Sequence, residues 1–304
     1  MKKFKVILGI LCVISIVTAF SYRNNRNAAR DVTAPVITSK EDVIKVKINA
    51  SDEELLAGLV ATDDVDGDIS DNIIIEKIQK DEEGSEDEFK ITYVCFDSSE
   101  NVGRLTKKLV YKDYKKPHFQ MTSDLRFPVN TAISLLDYIK AEDSLDGDIS
   151  PFITLDGTKN ISNVSVPGRY SFNLSVTNSV GDTSSLPIEV EIYEESYEEQ
   201  TYKPSIVLKE YIVYVDRKKE FRPEVYIDYI EDGGRYEIDL DNTTTGVSNT
   251  ADTDRKEVKK IPLEKIEMKS SVNERKAGVY SVVYKYTSEE TGYEGKTKLI
   301  VVVE

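Results

Sequence analysis

ATDDVDGDIS (Ala61 to Ser70) and AEDSLDGDIS (Ala141 to Ser150) match at seven of ten positions, 80 residues apart. A fixed period of that length means tandem domains rather than a short-period solenoid. Other landmarks keep the spacing. Pro35, Pro117 and Pro204 each precede a short apolar stretch, PVI, PHF and PSIVL. Proline is tolerated at the first residue of a strand or on an edge, so each marks an opening strand. Late in each copy comes an alternating segment. In the second copy Tyr170, Phe172, Leu174 and Val176 alternate with Ser171, Asn173, Ser175 and Thr177. The first copy offers Phe89, Ile91, Tyr93 and Cys95, and the third Tyr280, Val282, Tyr284 and Tyr286. A period of two with one apolar face predicts half-buried strands. Each copy then closes on a further strand, within 105–111, 186–193 and 299–303. No segment after Phe20 sustains a helical period, so the chain is expected to be all-β, with three tandem sandwiches.

The rest of the chain fits this division. It has 304 residues, 55 acidic against 40 basic, and a formal net charge of −15. That balance excludes nucleic acid as a partner, because phosphate binding needs a basic face. Lys2, Lys3 and Lys5 precede an apolar run from Val6 to Phe20, the pattern of an export signal. Residues 1–22 are read as a signal peptide, with cleavage after Ala19, or as a retained hydrophobic membrane-anchoring helix. Residues 23–33 form a linker, with Arg23, Arg26 and Arg30 weakening the charge asymmetry. The sandwiches are expected at 34–112, 113–196 and 203–304. Acidic residues 197–202 separate the last two, and protease is expected to cut first near Asp113 and Gln200. The segment 81–88 reads as a solvated hairpin tip. Cys12 lies in the apolar run and Cys95 in a strand, so no disulfide is expected, and Cys95 reads as a buried small hydrophobe.

With the leading proline, the Ala-x-Asp-x-x-Asp-Gly-Asp-Ile loop, the Gly-x-Tyr strand opening of the second and third copies (Gly168 to Tyr170, Gly278 to Tyr280) and the FDSSEN turn (Phe96 to Asn101), the chain resembles the bacterial immunoglobulin-like repeat family named from insecticidal crystal proteins. It is also similar in look to hyaline-repeat modules. The resemblance covers the first two copies. The third departs from it: it lacks Asp-Gly-Asp, has IEDGGRYEI (Ile230 to Ile238) nearest that place, and carries a polar insert from Gly246 to Lys260. The resemblance implies immunoglobulin-like sandwiches serving as secreted or cell-surface modules without catalytic activity.

The acidic loops are the one constellation with chemical potential. Asp63, Asp64, Asp66 and Asp68 crowd one loop, and Asp143, Asp146 and Asp148 the other. Calcium takes six to eight oxygens, which clustered carboxylates supply. Sandwich topology would bring Asp97 to the first cluster and Asn178 to the second. The competing reading is turn architecture, since Asp and Gly build tight turns and Asx side chains bond their own backbone. EF-hand spacing is not met: Gly67 comes too early and Ile75 stands where a bidentate Glu is needed. No other cofactor is indicated. The single histidine, His118, is expected at a polar surface position, and nothing marks it as a catalytic base. Eighteen tyrosines and no tryptophan remain. Tyr211, Tyr214, Tyr226, Tyr229, Tyr236, Tyr284, Tyr286 and Tyr293 crowd the third copy, as strand formers or as a ligand-binding face.

Three functions compete. The first is a non-enzymatic, exported cell-surface protein of structural or adhesion type, a stalk whose third domain is the recognition module. Three sandwiches in line would reach on the order of 100 Å. The second is a secreted module for a glycan or peptide ligand, betrayed by an exposed tyrosine cluster. The third is an enzyme with a divergent active site, which would need converging carboxylates of raised pKa.

Overall fold

The computed structural model describes residues 14–19, 21, 31–156, 166–240 and 259–304. Residues 14–19 and 21 are helical. The rest of the export segment, with Cys12, lies outside the described residues, as does nearly all of the Gly246 to Lys260 insert. No helix among the described residues is long and apolar enough to cross a membrane. The chain divides into two compact units, residues 1–114 and 115–304.

In the first unit β1 (Val36–Ser39), β3 (Leu59–Asp63) and β4 (Gly67–Asp68) form one sheet. The other runs β2 (Val43–Val46), β7 (Val102–Tyr111), β6 (Glu88–Phe96), β5 (Ile74–Lys80). Pro35 directly precedes β1, and the turn between β5 and β6 is the charged tip 81–87. The alternating face of β6 makes the core: Phe89, Ile91, Tyr93 and Cys95 are fully buried. Burying a large apolar side chain contributes roughly 1.5–3 kcal/mol. The Tyr93 hydroxyl keeps a partner there, donating to Leu55 O at 2.7 Å. Leu55 belongs to a short helix, α1 (Asp52–Leu56), started by a Ser51/Glu54 capping box. Cys95 is a free buried thiol, its pKa pushed up by burial.

The second unit repeats this plan twice. Its first sandwich pairs β8 (His118–Met121), β10 (Ile139–Asp143) and β11 (Gly147–Asp148) against the sheet β9 (Arg126–Pro128), β14 (Thr183–Tyr193), β13 (Gly168–Thr177), β12 (Thr154–Asp156). Its second pairs β15 (Ser205–Leu208), β17 (Ile227–Glu231), β18 (Arg235–Asp239) and β19 (Lys260–Pro262) against β16 (Ile212–Val215), β22 (Glu294–Val303), β21 (Gly278–Thr287), β20 (Ile266–Ser270). In all three copies the second strand crosses over to pair in parallel with the last: β2 with β7, β9 with β14, β16 with β22. The described chain is therefore three tandem immunoglobulin-like β-sandwiches. The first and third copies share a fine detail of strand contact. A Cβ on Gly103 would lie 2.1 Å from Pro35 O, and one on Gly295 2.2 Å from Pro204 O. Only glycine lets those backbones approach so closely. The matching position of the middle sandwich is Ser184, two residues into β14 as Gly103 and Gly295 are in β7 and β22.

The in-line arrangement expected for the second and third sandwiches does not hold. Lys298 Nζ lies 3.3 Å from Glu189, and Lys296 Nζ 3.3 Å from Glu191. Strands β14 and β22 thus pass each other in opposite directions, and the third sandwich lies folded back along the second. Glu304 meets Lys116 at 3.0 Å and His118 at 3.5 Å. Tyr214 Oη accepts the Phe119 N–H at 2.8 Å, and Arg126 donates to Lys296 O at 2.8 Å. Charge contributes: Glu189 and Glu191 point outward from β14, and Lys296 and Lys298 from β22. Their pairs are half-buried, where attraction is screened less than at the surface.

Three further features take their places here. His118, expected at the surface, is half-buried: its ring packs edge-on against Tyr214, centroids 4.0 Å apart, in this junction. The acidic linker 197–202 is an ordered helix, α2 (Tyr197–Tyr202), with a Ser196/Glu199 capping box, and Lys203 pairs with Glu195 behind it. The tyrosines of the third sandwich form no exposed face. Tyr211, Tyr284 and Tyr286 are buried and Tyr214, Tyr226, Tyr229, Tyr236 and Tyr293 half-buried. Among the described residues the exposed tyrosines are Tyr197 and Tyr202, on α2.

Candidate metal centre

Both Asp-Gly-Asp loops are tight hairpins, closed by Gly67 at φ +76° and Gly147 at φ +70°. That left-handed conformation favours glycine. Most of the loop carboxylates are consumed in holding the turn. Asp68 Oδ1 accepts from Ser70 Oγ at 2.5 Å and Ser70 N at 3.0 Å, and Asp148 does the same with Ser150. The serine hydroxyl first, then its N–H, hold both acids below their ordinary pKa. Asp66 takes Ser98 N (2.6 Å) and Oγ (2.8 Å), and Asp146 takes Ser179 N (2.6 Å) and Oγ (2.7 Å). These bonds tie the loop after the third strand to the loop before the last, as the sandwich topology predicts. Asp64 is exposed and faces Thr33 Oγ1 at 3.5 Å.

Asp63, Asp97 and Asp143 behave differently. Asp63 Oδ1 accepts Val65 N and Asp66 N, and Asp143 Oδ1 accepts Leu145 N and Asp146 N. Their second oxygens point the other way, toward the loop that follows β6 or β13. In the middle sandwich that loop presents Asn178, whose Nδ2 donates to Asp143 Oδ2 at 3.1 Å. In the first it presents Asp97, and two carboxylates face each other. Asp97 is buried, 7% exposed. Burial pushes its pKa up, but Asn101 Nδ2 at 2.6 Å, Asn101 N at 2.7 Å and Ser99 N at 2.9 Å, with a smaller contribution from the neighbouring Asp31 carboxyl, outweigh it and hold the group below its ordinary value.

A third carboxylate joins them, one that the sequence reading missed. Asp31 Oδ1 accepts Thr33 N at 2.9 Å, and Asn101 Nδ2 reaches Asp31 O at 3.3 Å. One oxygen each of Asp31, Asp63 and Asp97 lie within 4.8 Å of one another. The signal available was an acid four residues before the opening proline. Asp113 stands equally far before Pro117, yet its Oδ1 accepts Ile48 N in the first unit, so spacing alone does not single out Asp31.

No known protein-family profile matches the chain, and no curated protein does. Solved structures resembling it include carbohydrate-binding and INT domains of Clostridium perfringens ZmpB (17% identity, 47% of this chain, 29% of that one, TM-score 0.21). Another is Drosophila N-cadherin EC1-3 (11% identity, 88% of this chain, 99% of that one, TM-score 0.30). The chain spans about a third of the length of the Clostridium structures it matches. At these identities and scores the similarities assign it neither ligand nor activity.

Proposed function

We propose that the chain is an exported, non-catalytic structural protein of the cell surface, of the bacterial immunoglobulin-like repeat type. Its second and third sandwiches act as one rigid double module. The observation that carries this reading is the junction between them. Glu189, Glu191, Lys296 and Lys298 occupy outward strand positions that a free-standing sandwich would give to solvent, and here they hold two modules together. A linker closed by a capped helix adds to the stiffness. Such a block keeps its ends in fixed relation, which serves spacing and adhesion. Export is supported by the Lys2, Lys3, Lys5 and Val6–Phe20 pattern. A recognition role for the third sandwich, toward glycan or peptide, would draw on groups other than its strand tyrosines.

The test is protease treatment of intact cells followed by fractionation. The described units should be lost from the outside while cytoplasmic markers survive, and the 115–304 fragment should resist cutting at 194–203. Full protection in intact cells would refute surface exposure. Early cleavage at 194–203 with separation of the halves would refute the rigid module.

A further inference from the structure

We propose that the first sandwich alone holds a calcium-class cation, ligated by Asp31, Asp63 and Asp97. This stands apart from the structural role above and does not depend on it. The Asp63 carboxylate is buried, although the residue as a whole keeps part of its surface in solvent. Asp63 Oδ2 and Asp31 Oδ2 are both enclosed and accept no hydrogen bond. Leaving a buried ionised oxygen without a donor is costly, and a cation removes that cost. Among the described residues no lysine or arginine pairs with any of the three.

The geometry suits one ion. Calcium–oxygen bonds of about 2.4 Å let two ligands lie up to about 4.8 Å apart across the ion, and the three oxygens fall within that span. An all-oxygen, carboxylate donor set selects hard cations rather than zinc or copper. Backbone carbonyls and waters complete six to eight ligands in such sites.

The other two copies serve as internal controls, because strand register defines the equivalent positions. Ile37 pairs with Ala61, Phe119 with Ala141, and Ile206 with Ile230, so Asp63, Asp143 and Asp232 correspond. Cys95 pairs with Gly103, Val176 with Ser184, and Tyr286 with Gly295, so Asp97, Asn178 and Ser288 correspond. In the middle copy Asn178 satisfies Asp143, and the partner four residues on is exchanged too: Asp97 with Asn101 becomes Asn178 with Asp182. In the third, Tyr286 Oη donates to Asp232 Oδ2 at 3.1 Å. Among the described residues a protein donor occupies the place in two copies, and in the first there is none.

The test uses the full chain with Cys12→Ser, so that buried Cys95 is its single thiol and its labelling on heating reports opening of the first unit. Extracellular modules bind calcium at about 10⁻⁴–10⁻³ M. At ten times the dissociation constant the labelling midpoint should rise by about 6–11 °C. Asp31→Asn should abolish the rise, and Asp143→Asn should leave it intact. The double swap Asp97→Asn with Asn101→Asp, which copies the middle sandwich, should abolish it while keeping the calcium-free midpoint at or above that of the parent. No calcium shift in the parent would overturn the proposal. So would a shift that survives Asp31→Asn, one lost in Asp143→Asn, or an equal shift with magnesium, which would mean general screening of the acidic surface.

Discussion

Asp124 sits at the junction of the second and third sandwiches, and Asp124→Asn should stabilise the second unit at neutral pH. Its Oδ2 accepts from Thr297 Oγ1 at 3.2 Å. Burial raises its pKa from 3.8 to about 6, against the pull of Arg126 and the Thr297 bond, with Glu191 adding to the rise and Lys203 opposing it. A folded-state pKa above the unfolded one means that the folded chain binds the proton more tightly. Stability from this group is therefore complete below pH 3.8 and is lost as pH rises through about 6. A rise from 3.8 to about 6 corresponds to roughly 3 kcal/mol. Asp124 keeps part of its surface in solvent, so about 1–2 kcal/mol is the expected cost at pH 7. Asparagine retains an acceptor for Thr297 and never ionises. At about 2–4 °C per kcal/mol for a unit of this size, the variant should melt about 2–8 °C higher at pH 7.5 and no higher at pH 3.5. Scanning calorimetry of the full chain across this range measures it, with the second unit's transition identified as the one that Gly103→Ala leaves in place. A variant less stable at pH 7.5, or a difference that does not change with pH, would refute the reasoning.

Gly103→Ala should lower the first unit's melting point, because its Cβ meets Pro35 O at 2.1 Å and backbone must move, at about 1–3 kcal/mol. Lys298→Glu should set two acids face to face at Glu189 and expose 194–203 to protease, and adding Glu189→Lys should restore resistance. Tyr93→Phe should cost about 1–2 kcal/mol in denaturant unfolding of the first unit, since the Leu55 carbonyl loses its buried donor at 2.7 Å.

Strand alternation, the three opening prolines and the repeated Asp-Gly-Asp loops were enough to derive three all-β sandwiches from the chain alone. These signals are local: a period of two requires one buried face, and a left-handed turn favours glycine. The turn role of Asp68 and Asp148 was legible for the same reason, because each bonds a serine two residues on. Sandwich topology even brought Asp97 to Asp63 and Asn178 to Asp143. Asp31 stayed hidden because its counterpart Asp113 looks the same in sequence and differs only in where its side chain goes.

The fold-back of the third sandwich was equally hidden. Glu189 and Lys298 are 109 residues apart, and an outward charge on a strand reads as solvated until another surface arrives to cover it. The same holds for His118, which is polar and sits at a strand start, and for the tyrosines, whose period of two places them on a face without saying which face is core. Local periodicity and turn chemistry are written in neighbouring residues, so the sequence alone determined the sandwiches and their loops. Which charged faces meet, and which carboxylate lacks a donor, depend on groups far apart in the chain, and only the tertiary structure decided them.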